Sequence, residues 1–154
     1  MKLYLDTNII HGWFRKMMEN LRKGRKFSIP SILQFISSRR DLQLITSNLT
    51  KVEIVRYLVA EWGCKQEFSE DLWERFLRSF DVQYIEVKEF DLDELIKLCG
   101  RIPTKKKTLV NLLHLQIAKR NKLHFLTGEK KLKEKYKRYY KKVLTYKDLR
   151  GLFV

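Results

Sequence analysis

The sequence predicts an α/β fold: a mainly parallel central sheet with helices on both faces. Two observations carry this. Short apolar runs of strand length alternate with longer stretches of helical periodicity from one end of the chain to the other. No repeat, low-complexity stretch or Pro/Gly/Ser-rich linker interrupts the alternation, so residues 1–154 read as one domain.

Leu3 to Leu5 is a short apolar run and reads as a buried strand ending in Asp6. Ile10, Trp13, Phe14, Met17, Met18 and Leu21 then keep helical spacing until Lys23-Gly24-Arg25 stops the helix. Ser28 and Pro30 open a second helix that buries Ile32, Leu33, Phe35 and Ile36. Leu42 to Thr46 returns to strand. Thr50-Lys51-Val52-Glu53 fits a capping box, and Val52, Val55, Leu58 and Val59 form the stripe of the helix behind it. Ser69-Glu70-Asp71 caps another helix through Phe80, and Val82 to Val87 alternates as a strand. Asp91 to Cys99 is helical and ends at Gly100 and Pro103. A helix from Thr104 or Thr108 carries Leu109, Leu112, Leu113, Leu115, Ile117 and Ala118. The strand His124–Thr127 follows, Gly128 turns it, and Glu129 opens a basic helix. Val143 to Thr145 is a last strand before the helix Lys147 to Leu152.

Composition excludes several classes. Hydrophobic residues are 44% and charged residues 33%, as in a globular protein rather than a disordered one. The longest apolar runs fall far short of the roughly 18 residues a membrane span needs, so no membrane partner is expected. Asp6 interrupts the N-terminus before any signal-peptide core forms, which places the protein in the cytoplasm. Cys64 and Cys99 form no metal or redox pattern. The net charge is +15, and between Arg101 and Lys147 there are 16 Lys and Arg against the two acids Glu129 and Glu134. Such a surface attracts polyanions. Lys130, Lys131, Lys133, Lys137 and Arg138 are the candidate nucleic-acid contacts, interleaved with Tyr136, Tyr139 and Tyr140, which either stack on bases or belong to the core.

In an open parallel sheet, ligands bind where the carboxyl ends of the strands open into a crevice. Asp6 ends the first strand, Glu129 follows a later strand across one glycine, and Glu53 sits near the start of the helix after the second strand. Acids converging on one pocket repel, and a divalent cation relieves that cost. Hard oxygen donors select Mg²⁺ or Mn²⁺. The structural alternatives are a turn acid at Asp6, a helix cap at Glu53 and a first-turn charge at Glu129. Asn8 and Thr127 flank the acids and can orient them by hydrogen bonds. His114 reads as a structural histidine within an apolar stripe, and His11 has no obvious partner.

Four segments, taken in order, resemble the PIN domain: Leu3-Tyr4-Leu5-Asp6-Thr7-Asn8, Thr46–Glu53, Asn111–Ala118 and Phe125-Leu126-Thr127-Gly128-Glu129. The resemblance covers nearly the whole chain, to about Leu149. It implies a single PIN-like nuclease domain and a Mg²⁺- or Mn²⁺-dependent endoribonuclease cutting single-stranded RNA. Relatives include the toxins of toxin–antitoxin pairs, of the VapC type, and enzymes of RNA processing. It implies catalytic positions at Asp6, Glu53, Asn111 and Glu129, with Asp6, Glu53 and Glu129 as metal ligands. Its partners would be RNA, an antitoxin protein where the member is a toxin, and a second copy, since many relatives form homodimers. Two positions depart from the family pattern: Asn111 replaces a usual aspartate, and Glu129 replaces a shorter one. One negative charge fewer predicts weaker Mg²⁺ binding. The alternatives to a nuclease are a weakened or inactive PIN domain binding RNA or ribosomes, and a protein-interaction subunit.

Overall fold

The computed structural model describes residues 1–153. Five strands, β1 (Lys2–Leu5), β2 (Gln43–Ser47), β3 (Gln83–Ile85), β4 (His124–Leu126) and β5 (Val143–Leu144), form one sheet in the order β3-β2-β1-β4-β5. Every neighbouring pair is parallel. Parallel neighbours need a crossover, and helices supply it: α1 (Thr7–Lys23) and α2 (Ser31–Ser37) link β1 to β2, and α3 (Asn48–Trp62) and α4 (Gln66–Ser79) link β2 to β3. On the other side, α5 (Glu89–Arg101) and α6 (Lys106–Arg120) lead to β4 and α7 (Lys130–Tyr136) to β5, while α8 (Tyr146–Gly151) follows β5 and returns to the face of α1 and α2.

Side chains alternate across a strand, so the central strand feeds two cores. Leu3 and Leu5 point to one face, where α1 delivers Trp13 and Phe14 and α4 delivers Trp73 and Phe76. Tyr4 points to the other face, among Leu112, Leu115, Phe125 and Tyr136. Each fully buried aromatic or leucine there contributes about 1.5–3 kcal/mol, with edge-to-face pairs such as Trp13–Phe14, centroids 4.9 Å apart, adding to it. Helices α1 and α3 stop at Gly24 and Gly63, whose φ values of 65° and 67° suit a residue without Cβ.

Several element limits differ from expectation. Helix α3 starts at Asn48 with Ser47 as its N-cap and no side-chain cap bond, so Thr50–Glu53 forms no capping box. Its buried residues are Thr50, Ile54 and Leu58, while Val52 is 66% exposed, because the helix packs between α1 and α4 on a different stripe. Helix α4 begins at Gln66, so Ser69 lies inside it and bonds back to the Lys65 carbonyl instead of capping. The basic helix ends at Tyr136, and Tyr136, Tyr139 and Tyr140 pack into or against the core. Tyr136 is 2% exposed and the Tyr140 hydroxyl donates to the Leu123 carbonyl, which takes both from the base-stacking role. Among the described residues no helix is long and apolar enough to cross a membrane.

Candidate functional site

Because all five strands are parallel, the segments after β1, β2 and β4 emerge at one edge of the sheet. Asp6 is the first residue beyond β1 and lies between two neighbours of equal register, Tyr4 pairing with both Ile45 and Phe125. It caps α1: its Oδ1 accepts from the Thr7 backbone N–H at 2.8 Å. The Thr127 hydroxyl donates to Oδ2 at 2.9 Å. The carboxylate is 3% exposed. Burial pushes its pKa up, the nearby His114 and the donors Thr127 and Thr7 pull it down, and the Glu53 charge adds to the rise. A buried acid beside a second acid is short of positive charge.

Thr127 also organises the third acid. Its Oγ1 accepts from the Glu129 N–H at 3.1 Å, and the Asn8 side-chain amide lies 3.4 Å away. Asn8 in turn accepts from the Gly128 N–H at 2.9 Å through Oδ1. A Cβ on Gly128 would come within 3.3 Å of that oxygen, so the glycine permits the close approach. Asn8 and Thr127 thus tie the end of β1 to the turn after β4. Glu129 itself is exposed, at the N-terminus of α7. Its charge reaches the same interior as that of Asp6: burial raises the Tyr136 hydroxyl pKa, Thr108 lowers it, and both acids add to the rise.

Glu53 occupies the second turn of α3 and faces the same edge. Its Oε1 accepts from the Thr7 hydroxyl at 2.8 Å and from His114 Nε2 at 2.5 Å. His114, 1% exposed on α6, meets the Tyr4 hydroxyl through Nδ1 at 2.7 Å, and Tyr4 meets Ser47 Oγ at 2.7 Å. Burial drives the Tyr4 pKa far above its usual range, so Tyr4 stays a phenol. Asn111, half-buried, precedes His114 by three residues on α6 and therefore shares its face. Sequence reasoning placed Glu53 and Asn111 at this edge but left out Thr7, Tyr4, Ser47 and His114. The available signals were two polar groups inside apolar stretches, Tyr4 within β1 and His114 within α6.

Among the described residues no three His, Cys, Asp or Glu side chains stand close enough to enclose one metal ion. A closed protein cage is therefore absent, but the donors suit a hard ion of another kind. Mg²⁺ keeps several waters and is commonly held by one or two carboxylates plus substrate phosphates. The buried Asp6 carboxylate and Glu53, whose Oε2 takes none of these hydrogen bonds, fit that demand.

Around this edge the cations differ. Lys130 and Lys131, next to Glu129, are exposed, as are Lys137 and Arg138 at the far end of α7. Lys133 is half-buried and paired with Asp148 at 2.7 Å. His11 packs on Tyr57, the rings tilted by 54° with centroids 4.1 Å apart. A surface cleft of about 700 Å³ lies at the opposite edge of the sheet beside Lys2, Arg39, Asp41 and Gln83.

The five-stranded parallel sheet in this order, flanked by helices, is a PIN-like α/β fold. Among the solved structures that share the fold are the following two. One is the crystal structure of VapBC2 from Rickettsia felis bound to a DNA fragment from its promoter, with a TM-score of 0.59 and 17% identity over 94% of this chain and 98% of that one. The other is a toxin–antitoxin complex from Klebsiella pneumoniae, with a TM-score of 0.55 and 16% identity over 94% of this chain and 97% of that one. No protein-family model and no curated protein matches the sequence.

Proposed function

We propose that the protein is a divalent-metal-dependent endoribonuclease acting on single-stranded RNA. The observation that carries the reading is the buried Asp6 carboxylate at the carboxyl edge of the central strand, with Glu53 on its neighbour's helix and Glu129 tied to it through Thr127. Asp6 and Glu53 would hold Mg²⁺ or Mn²⁺, with Glu129 contributing at the rim and Asn111 offering a neutral oxygen. When bound, such an ion lowers the pKa of a coordinated water and stabilises the charge that develops on the phosphate. Thr127 and the Thr7 backbone orient Asp6, while the Thr7 hydroxyl orients Glu53. Exposed Lys130, Lys131, Lys137 and Arg138 would hold the RNA backbone, a contact that weakens with salt. Lys133 adds less, because Asp148 already engages it.

The test is cleavage of a labelled single-stranded RNA in Mn²⁺ or EDTA by the native protein and by Asp6→Ala. Metal-dependent cleavage lost in the variant, with RNA binding retained, supports the reading. Cleavage that survives in both EDTA and the variant defeats it.

A second reading, a non-catalytic RNA-binding module, is favoured by one observation: the neutral Asn111 shares a helix face with His114, which already engages Glu53. It predicts salt-sensitive RNA affinity with no cleavage under any metal. Both readings admit an antitoxin-like protein partner, supported by the two toxin–antitoxin structures of the same fold, and a homodimer.

A further inference from the structure

Two side chains hydrogen-bond the Glu53 carboxylate, Thr7 and His114, and the proposed chemistry does not account for the second. His114 is buried in the core face of α6, between Leu113 and Leu115, yet directs Nε2 at the Glu53 carboxylate from 2.5 Å. An imidazole lost among leucines needs partners for both nitrogens. It has them: Glu53 on one side, and on the other the Tyr4 hydroxyl at 2.7 Å, itself 2.7 Å from Ser47. The chain Ser47–Tyr4–His114–Glu53 therefore links β2, β1, α6 and α3.

The chemistry fixes one direction. An ionised carboxylate only accepts, so Nε2 must carry the hydrogen in the bond to Glu53, whichever protonation state the ring has. Tyr4 and Ser47 hold the ring plane from the far side. Thr7 donates to the same oxygen, Oε1, at 2.8 Å. Two donors on one oxygen pin the carboxylate and leave Oε2 uncommitted. A long, flexible glutamate becomes a carboxylate with one oxygen aimed.

From this geometry we infer that His114 is a positioning residue for Glu53: held by Tyr4, it anchors Oε1 so that Oε2 is presented to a divalent cation shared with Asp6. The inference rests on the reading of Asp6 and Glu53 as cation ligands. It assigns His114 no contact with RNA or with the cation.

Two measurements on the full-length chain test it. The first uses the metal-free protein: long-range ¹H–¹⁵N spectra of ¹⁵N-histidine-labelled protein should find a slowly exchanging hydrogen on His114 Nε2, whose shift changes in Glu53→Gln. An unprotonated Nε2 overturns the inference. The second is calorimetric titration with Mn²⁺ alone. His114→Leu should weaken Mn²⁺ binding about 10- to 100-fold, the range for partners of metal-binding carboxylates. His114→Gln, which keeps an amide donor near the Nε2 position, should recover most of the loss. Tyr4→Phe, which keeps the ring packed on Phe125, should fall between them. Native affinity in His114→Leu overturns the inference while leaving the metal site standing. Equal losses in the Leu and Gln variants also overturn it, since they point to packing rather than donation. Native protein that binds no Mn²⁺ defeats the proposed function and the inference together, and the three results are distinguishable.

Discussion

Replacing Asp6 with asparagine changes one buried group and separates stability from function. The carboxylate is 3% exposed and beside Glu53, so its charge is costly. Asparagine is as good an N-cap as aspartate and keeps an oxygen for the Thr7 N–H, so α1 should remain capped. What is lost is the charge-assisted bond from Thr127, at 2.9 Å, and what is gained is relief of a buried negative charge. The net expected in EDTA is a gain on the order of 1 kcal/mol, the usual result of neutralising a residue kept for function rather than stability. For a chain of 154 residues that raises the melting midpoint by about 2–4 °C. Saturating Mn²⁺ should invert the order. At a hundred times its dissociation constant a ligand stabilises the native protein by about 2.7 kcal/mol, and the variant should gain little. Calorimetric melts of both proteins, in EDTA and in excess Mn²⁺, read the four midpoints. A variant less stable than native protein in EDTA, or equal Mn²⁺ shifts in the two, would refute the reasoning.

Three further outcomes are expected. Asn111→Asp restores one negative charge on the face shared with His114 and should tighten Mn²⁺ binding and raise any cleavage rate; equal Mn²⁺ titrations would remove Asn111 from the site. Arg120→Met should cost about 3–5 kcal/mol in urea unfolding, because it strands the fully buried Asp91, which now accepts from Arg120 Nε at 2.7 Å; a loss under 1 kcal/mol would contradict this. Asp148 is held down to about 2 chiefly by Lys133, so its contribution is present above the unfolded value of 3.8 and is lost as pH falls from there toward 2. Half-exposed, it should be worth about 1 kcal/mol, seen as a steeper acid loss of stability in native protein than in Asp148→Asn.

The alternation of strands and helices was legible because each element announces itself locally. Leu3–Leu5 and the Gly24 stop after α1 need no knowledge of the rest of the chain. Periodicity failed where two alternatives look alike in one dimension. The valines of α3 have helical spacing, but its buried stripe runs through Thr50, Ile54 and Leu58, since α1 and α4 decide which side faces inward. The tyrosines of the basic segment suited base stacking and core packing equally in sequence, and packing with α6 and β4 decided for the core.

At the candidate site the division is similar. The positions of Asp6, Glu53 and Glu129 at strand and helix ends could be read from the chain, because a parallel sheet brings such ends to one edge. The bonds among them could not. That Thr127 holds Asp6, and that His114 reaches Glu53 while Tyr4 holds it from behind, depends on contacts spanning 61 to 121 residues. Local propensity and apolar spacing are properties of neighbours in sequence, and they sufficed for the elements and their order. Distances between side chains on different elements follow from how two cores pack against one sheet, and only the tertiary structure decided those.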